Sequence, residues 1–232
     1  MIDRVGMELV ELSEIPPEAG TPPIQRAEMN SALTKCRMRK KLKRDFYNQP
    51  TLKVAKNLLG KYLVVRRGDK LLSGKVVETE AYIGKNDPAS HAYRGVTPRN
   101  KIMFGKPGFA YIYLTYGMYH CLNFVTEKDG FPAAVLIRAL EPEEGIDIMM
   151  RNRKISDIKN LTNGPGKLCQ ALGLDRSLNG ANLCSPMQEK IWVEDRNEKQ
   201  KGIVSTSRIG INEGKDKNWR FYIKGNRFVS KK

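Results

Sequence analysis

The chain has 232 residues, 40% of them hydrophobic, and a formal net charge of +16. A chain of this size buries roughly 70% of its unfolded surface, so it needs no disulfide or metal staple. The charge favours a polyanionic partner, nucleic acid or an anionic membrane surface. No apolar run approaches the roughly 18 residues of a membrane span, and the acidic opening MIDRVGMELVELSEIPPEAG lacks a signal-peptide core. The four cysteines form no CxxC pair, and the two histidines show no metal-ligand spacing. We read a soluble, intracellular protein with reduced thiols, Cys121 and Cys169 buried as small apolar residues, and no metal or cofactor.

Residues 1–44 read as a mobile extension. They are poor in aromatics, hold Pro16, Pro17, Pro22 and Pro23, and end in the basic run KCRMRKKLKR. The folded domain is expected over 45–232. In TLKVAKNLLG, Thr51 can cap a short helix whose apolar stripe is Leu52, Ala55, Leu58 and Leu59, with Gly60 ending it. KYLVVRR (61–67) and LLSGKVVETEAYI (71–83) read as strands around Gly68-Asp69. Residues 84–108, rich in Gly, Pro, Asn and Arg, read as a long ordered loop, which inside a domain is usually functional.

FAYIYLTY (109–116) and MYHCLNFVT (118–126) form a predicted hairpin around Tyr116-Gly117. PAAVLIRAL (132–140) is a further buried strand. EPEEGIDIMMRNR (141–153) reads as a helix, acidic at its start and basic at its end, and GPGKLCQALGL (164–174) as a helix closed by Gly173. IWVE, GIVSTSRIGI and WRFYIKG return to strands. Strands predominate without strict βαβ alternation. The fold class is therefore α+β: a single mixed domain with a mainly antiparallel sheet, surrounding helices and a projecting hairpin.

The strand KVVETEAYI carries the first chemical signal. Side chains alternate along a strand, so Glu78, Glu80 and Tyr82 share one face at spacings of about 7 Å. Taken alone, this is an amphipathic strand showing acids to water. In a strongly basic chain it is out of character, and the strand leads into a loop holding His91 and then GVTPRNKIMFGKPG, a source of cations and backbone N–H groups for phosphates. Tyr111, Tyr113, Tyr116 and Tyr119 follow within nine residues. They suit packing and also base stacking. Tyr116 falls at the predicted hairpin tip, where a ring projects outward and can act as a wedge. A two-residue turn would set Tyr113 opposite His120; a three-residue loop would set Tyr113 opposite Cys121 and Tyr111 opposite Asn123. GPGKL lacks P-loop spacing, although its glycines can offer amides to a phosphate.

Taken together, VETEAY, His91 nine residues after Tyr82, TPRN-(x2)-MF-(x)-KPG, Y-(x)-Y-(x2)-YGMY-(x)-CLN, IRALEP, GPGKLCQAL and RFYIKG resemble the alkyladenine (3-methyladenine) DNA glycosylase family, from about Asp45 to the C-terminus. The resemblance implies a curved antiparallel sheet and a monofunctional repair enzyme. Such an enzyme, as a monomer, flips alkylated and also deaminated purines out of double-stranded DNA and hydrolyses the N-glycosidic bond. By motif position, Glu80 is the catalytic carboxylate that activates water and Arg138 helps hold that water. Tyr82, His91 and Tyr113 wall the flipped base, Asn123 excludes guanine, and Tyr116 intercalates. The chemistry agrees: as the base leaves, positive charge grows on the sugar, and a carboxylate beside C1′ both stabilises it and takes a proton from water. A non-catalytic nucleic-acid-binding module and a hydrolase of free nucleosides are the rival readings.

Overall fold

The computed structural model describes residues 39–187, 190–198, 200 and 202–231. Its strands are β1 (Lys40–Lys41), β2 (Tyr62–Arg67), β3 (Lys70–Ile83), β4 (Ala110–Thr115), β5 (Tyr119–Val125), β6 (Ala133–Glu144), β7 (Ile191–Asp195), β8 (Ile203–Thr206) and β9 (Arg220–Ile223). The helices are α1 (Arg44–Tyr47), α2 (Thr51–Leu58), α3 (Ile146–Arg153) and α4 (Pro165–Leu172). All strand pairs are antiparallel, in the order β1-β7-β2-β3-β6-β5-β4, with β9 pairing β3 and β8 pairing β9. This is the expected α+β architecture. Residues 1–38, and Cys36 with them, lie outside the described residues. Beyond them, Lys40 and Lys41 of the basic run pair with Asp195 and Glu194.

Alternation divides the core between the two faces of the sheet. Ile112, Leu122, Phe124, Val135 and Ile137 face the main core, which also takes Leu168, Ala171 and Leu172 of α4 and Val54, Ala55 and Leu58 of α2. Their strand neighbours Tyr111, Val125 and Ala134 join Ala92 and Met103 in a smaller cluster under the 84–108 loop. The sheet is thus dressed with helices on one face and with a loop on the other. Cys121 and Cys169 are free and buried.

Two local readings need correction. EPEE does not begin a helix. It continues β6, with Glu141, Pro142 and Glu144 opposite Lys75, Gly74 and Ser73. The helix starts only after Gly145, whose φ of 74° places it in the left-handed region. Cross-strand pairing and the Arg39–Glu144 ion pair at 2.7 Å outweigh the favourable placing of acids at a helix start. Thr51 is the first helical residue rather than the cap. Its N–H and hydroxyl both reach Glu127 Oε1, at 2.6 and 2.8 Å, so a remote carboxylate does the capping.

Candidate active site

The two acids of β3 are fully buried, and the sheet bends locally to serve them. Val76 pairs with Leu140, Glu78 with Ala139 and Thr79 with Ile137, so Val77 is an extra residue on β3 and Arg138 an extra residue on β6. Such bulges re-aim a side chain. Arg138 lies between the acids: its Nε donates to Glu78 Oε1 at 3.3 Å and its Nη1 to Glu80 Oε2 at 3.1 Å. Burial pulls the Arg138 pKa down, but Glu80 and Glu78 outweigh it and the net direction is up.

Counting acceptors separates the two carboxylates. A carboxylate offers about four lone-pair sites. Glu78 has four donors: Arg138 Nε, Arg220 Nε at 2.6 Å, Ser230 N at 2.7 Å and Ser230 Oγ at 3.0 Å. Glu80 has three: Ile209 N at 2.7 Å, Tyr82 Oη at 2.8 Å and Arg138 Nη1. Three of the Glu78 donors crowd Oε1 and one reaches Oε2, which ties that acid to β9 and the C-terminal segment; among the described residues Glu80 Oε1 accepts from Ile209 N alone and has room for a further proton donor.

Beside this cluster is a cavity of about 180 Å³ lined by Tyr82, Ala89, His91, Met103, Tyr111, Tyr113, Thr115, Asn123, Gly210 and Ile211. That is below the ~300–1,000 Å³ of drug-sized sites and suits a single planar ring system. A larger hollow of about 670 Å³ runs past Arg66, Asn179 and Lys190, but its described lining offers no aromatic ring for a base to stack on. We therefore place the candidate site at the smaller cavity, where Tyr82, His91, Tyr111 and Tyr113 and the Asn123 amide line one space in front of the buried acids. Glu80 is not on the cavity wall. It lies behind Tyr82, whose hydroxyl it accepts from.

The hairpin adopts the three-residue register, with Tyr111 opposite Asn123 and Tyr113 opposite Cys121. Asn123 in turn pairs with Leu136, and Leu136 with Glu80. Tyr82, Glu80, Asn123, Tyr111 and Tyr113 therefore share one face of the sheet. The Asn123 amide nitrogen donates to Tyr111 O at 3.1 Å, which fixes its orientation. His91 reaches the cavity from the loop, and its Nδ1 is 2.9 Å from Tyr111 Oη. Its ring meets Tyr113 edge-on with centroids 4.5 Å apart. Partial burial, then the Arg99 guanidinium, lower the His91 pKa to about 4. Burial raises Tyr82 well above the usual phenol range, with Glu80 adding to it, and takes Tyr111 up to about 12. Asn100 pins the loop by donating to His91 O at 2.7 Å and Gly95 O at 2.9 Å. His120 lies opposite Leu114 and takes no part in the cavity.

Tyr116 stands apart from the cavity. It is 82% exposed at the hairpin tip with φ of 50°, followed by Gly117 and the exposed Met118. The start of α4 packs against this hairpin: a Cβ on Gly166 would lie 3.1 Å from the Tyr119 side chain.

Sequence reasoning missed the segment that closes the site. The Ile209 N–H holds Glu80, and Gly210 and Ile211 line the cavity. Arg208, just before them, is fully buried against Asp87. The strand expected over GIVSTSRIGI ends at Thr206, and SRIGI is irregular chain. An arginine among isoleucines was the only signal of a buried ion pair. Ser230 and Arg220 gave no local signal, because their role depends on a partner more than 140 residues away.

Among the described residues, no group of three or more His, Cys, Asp or Glu is arranged to hold a metal ion, and no helix is long and apolar enough to cross a membrane. Residues 45–227 match the family model for methylpurine-DNA glycosylase. Among curated proteins, a relative from Alkaliphilus oremlandii named "Putative 3-methyladenine DNA glycosylase" is 52% identical over 204 residues, covering 83% of this chain and all of its own. Proteins of the same name from Methanocella arvoryzae and Clostridium perfringens are 53% and 50% identical, over 82% and 83% of this chain and 96% and 100% of theirs. With the acid pair, the aromatic cavity and the exposed hairpin ring on one scaffold, and likeness along more than four-fifths of its length, the chain belongs to the methylpurine-DNA glycosylase family.

Proposed function

We propose that the protein flips a damaged purine out of duplex DNA into the cavity and hydrolyses its N-glycosidic bond with a water activated by Glu80. The observation that carries this reading is the open acceptor position on the buried Glu80 carboxylate beside an aromatic cavity. Water donates to that position, Arg138 helps to hold it, and the carboxylate takes its proton as positive charge develops on the sugar. Tyr82 stacks on one side of the base, and His91 and Tyr113 bound it on the other, where stacking contributes ~1–3 kcal/mol. Asn123 disfavours the exocyclic amino group of guanine. Tyr116 fills the gap left in the duplex. A tyrosine in the left-handed region costs about 1 kcal/mol, so a bulky ring at that position points to function rather than stability. The substrates are alkylated purines, already cationic and easily lost, together with neutral deaminated ones, and the enzyme works as a monomer.

The test is a duplex with a single ethenoadenine or hypoxanthine, incubated with protein and then treated with hot alkali. Strand breaks with wild type and none with Glu80→Gln support the reading. Tight binding without breaks in either protein points instead to a binding module, and turnover of free nucleoside alone to a nucleoside hydrolase.

A further inference from the structure

Behind the cavity wall lies a buried ion pair that the proposed chemistry does not use. The Arg208 and Asp87 side chains are both fully buried. Arg208 Nη1 donates to Asp87 Oδ2 at 2.6 Å and Nη2 to Oδ1 at 2.7 Å, a two-pronged contact. The guanidinium carbon lies over the Tyr82 ring, 4.7 Å from its centroid, and 5.3 Å from that of Trp219. Tyr82 lines the cavity, whereas Arg208 and Asp87 do not. One face of the Tyr82 ring is therefore taken by a cation, and a base in the cavity stacks on the other.

This arrangement bears on which bases the ring can accept. An aromatic face attracts cations, but a bare guanidinium on the rear face repels a second cation on the front. The two charges would be roughly 8 Å apart, the 4.7 Å behind the ring plus ~3.5 Å of stacking contact in front. Asp87 removes that conflict at hydrogen-bond distance. The other charges facing Tyr82 are already balanced: Glu80 takes its hydroxyl, and Arg138 sits against Glu80.

We propose that Asp87 is a specificity-determining positioning residue: by neutralising Arg208 behind Tyr82, it allows the ring to stack on a cationic purine as readily as on a neutral one. The idea rests on the glycosylase reading and deepens it by naming the group that sets tolerance for base charge.

The test compares binding of two duplexes, one carrying cationic 7-methylguanine and the other neutral ethenoadenine. Each lesion nucleotide carries fluorine at C2′ to slow cleavage of its C1′–N bond. Asp87→Asn leaves the guanidinium uncompensated and is expected to lower affinity for the cationic lesion roughly ten- to thirtyfold relative to the neutral one. Arg208→Gln leaves a carboxylate behind the ring and is expected to move the ratio the other way. Asp87→Leu with Arg208→Leu removes both charges and is expected to return the ratio to the wild-type value, whatever happens to overall affinity. Either single variant is a test by itself if the other fails to fold. Equal losses for the two lesions would show a purely structural role and overturn the proposal. Should the unmodified protein favour neither lesion over undamaged duplex, the glycosylase reading itself falls; a normal preference with an unmoved ratio removes only the charge-compensation role.

Discussion

Replacing Glu78 by glutamine changes almost no volume, yet it should cost much of the molecule's stability. The side chain is fully buried and takes four hydrogen bonds. If the amide oxygen takes the place of Oε1, it keeps Arg138 Nε, Arg220 Nε and Ser230 Oγ. The amide nitrogen then faces the Ser230 N–H, donor against donor, where the carboxylate oxygen lies at 2.7 Å. The buried set Glu78, Glu80, Arg138 and Arg220 also changes from neutral to +1. Arg138 keeps Glu80, but Arg220 loses its carboxylate partner. Breaking one partner of a buried pair costs ~3–5 kcal/mol. The retained oxygen argues for the lower end, about 3 kcal/mol, equivalent to a fall of ~6–12 °C in Tm for a chain of this size. Calorimetry at neutral pH reads it directly, and added salt should not restore it, because buried charges are poorly screened. Glu78→Leu combined with Arg220→Leu should lie closer to wild type than Glu78→Gln alone. A fall of less than about 2 °C for Glu78→Gln would mean that the cluster's charges are not desolvated as the structure has them.

Three further outcomes are expected. Tyr116→Gly should raise stability by about 0.5–1 kcal/mol, because glycine tolerates the left-handed backbone, while weakening binding to lesion-bearing duplex; a fall in both would assign the ring a structural role. His91 titrates near 4 in the folded state and near 6.5 when unfolded. The unfolded chain thus binds more protons between these values, and stability should fall as pH drops from 6.5 to 4. The residue as a whole keeps more than a third of its surface in water, and solvent screening holds the loss under about 1 kcal/mol. Urea unfolding of His91→Asn across this range should lack that component. Gly145→Ala should cost at least about 1–2 kcal/mol, because a Cβ there would lie 2.9 Å from Leu71 O in a left-handed backbone; a thermal melt unchanged from wild type would contradict the turn geometry.

The strands were legible because their signal is local. Alternation in 71–83, 109–116 and 118–126 gave the elements; Tyr82, His91, Tyr113 and Asn123, named through the family resemblance, line the cavity, while Glu80 lies behind Tyr82. The hairpin register was not fixed by its residues, since both loop lengths bury an acceptable set. The structure settles it by pairing Tyr111 with Asn123 and Tyr113 with Cys121 around a three-residue tip. EPEE misled because acids suit both a helix start and a strand end that meets lysine and arginine. The 207–211 segment was illegible for a different reason: a backbone N–H carries no side-chain signature, so nothing in Ile209 marks it as a donor to Glu80.

The two extra residues around Glu78 offset one another. Because Val77 is inserted on one strand and Arg138 on its neighbour, Val76 with Leu140 and Thr79 with Ile137 keep the same register. Losing either residue alone would put the two strands one residue out of step beyond the deletion and turn that part of the shortened strand over, exchanging side chains between the sheet's two buried faces. Losing both would leave the frame standing and delete only the arginine's reach to the acids. This corner of the sheet can therefore be edited in matched pairs without disturbing the hairpin or the cavity wall, a freedom that a sheet of unbroken ladders does not have.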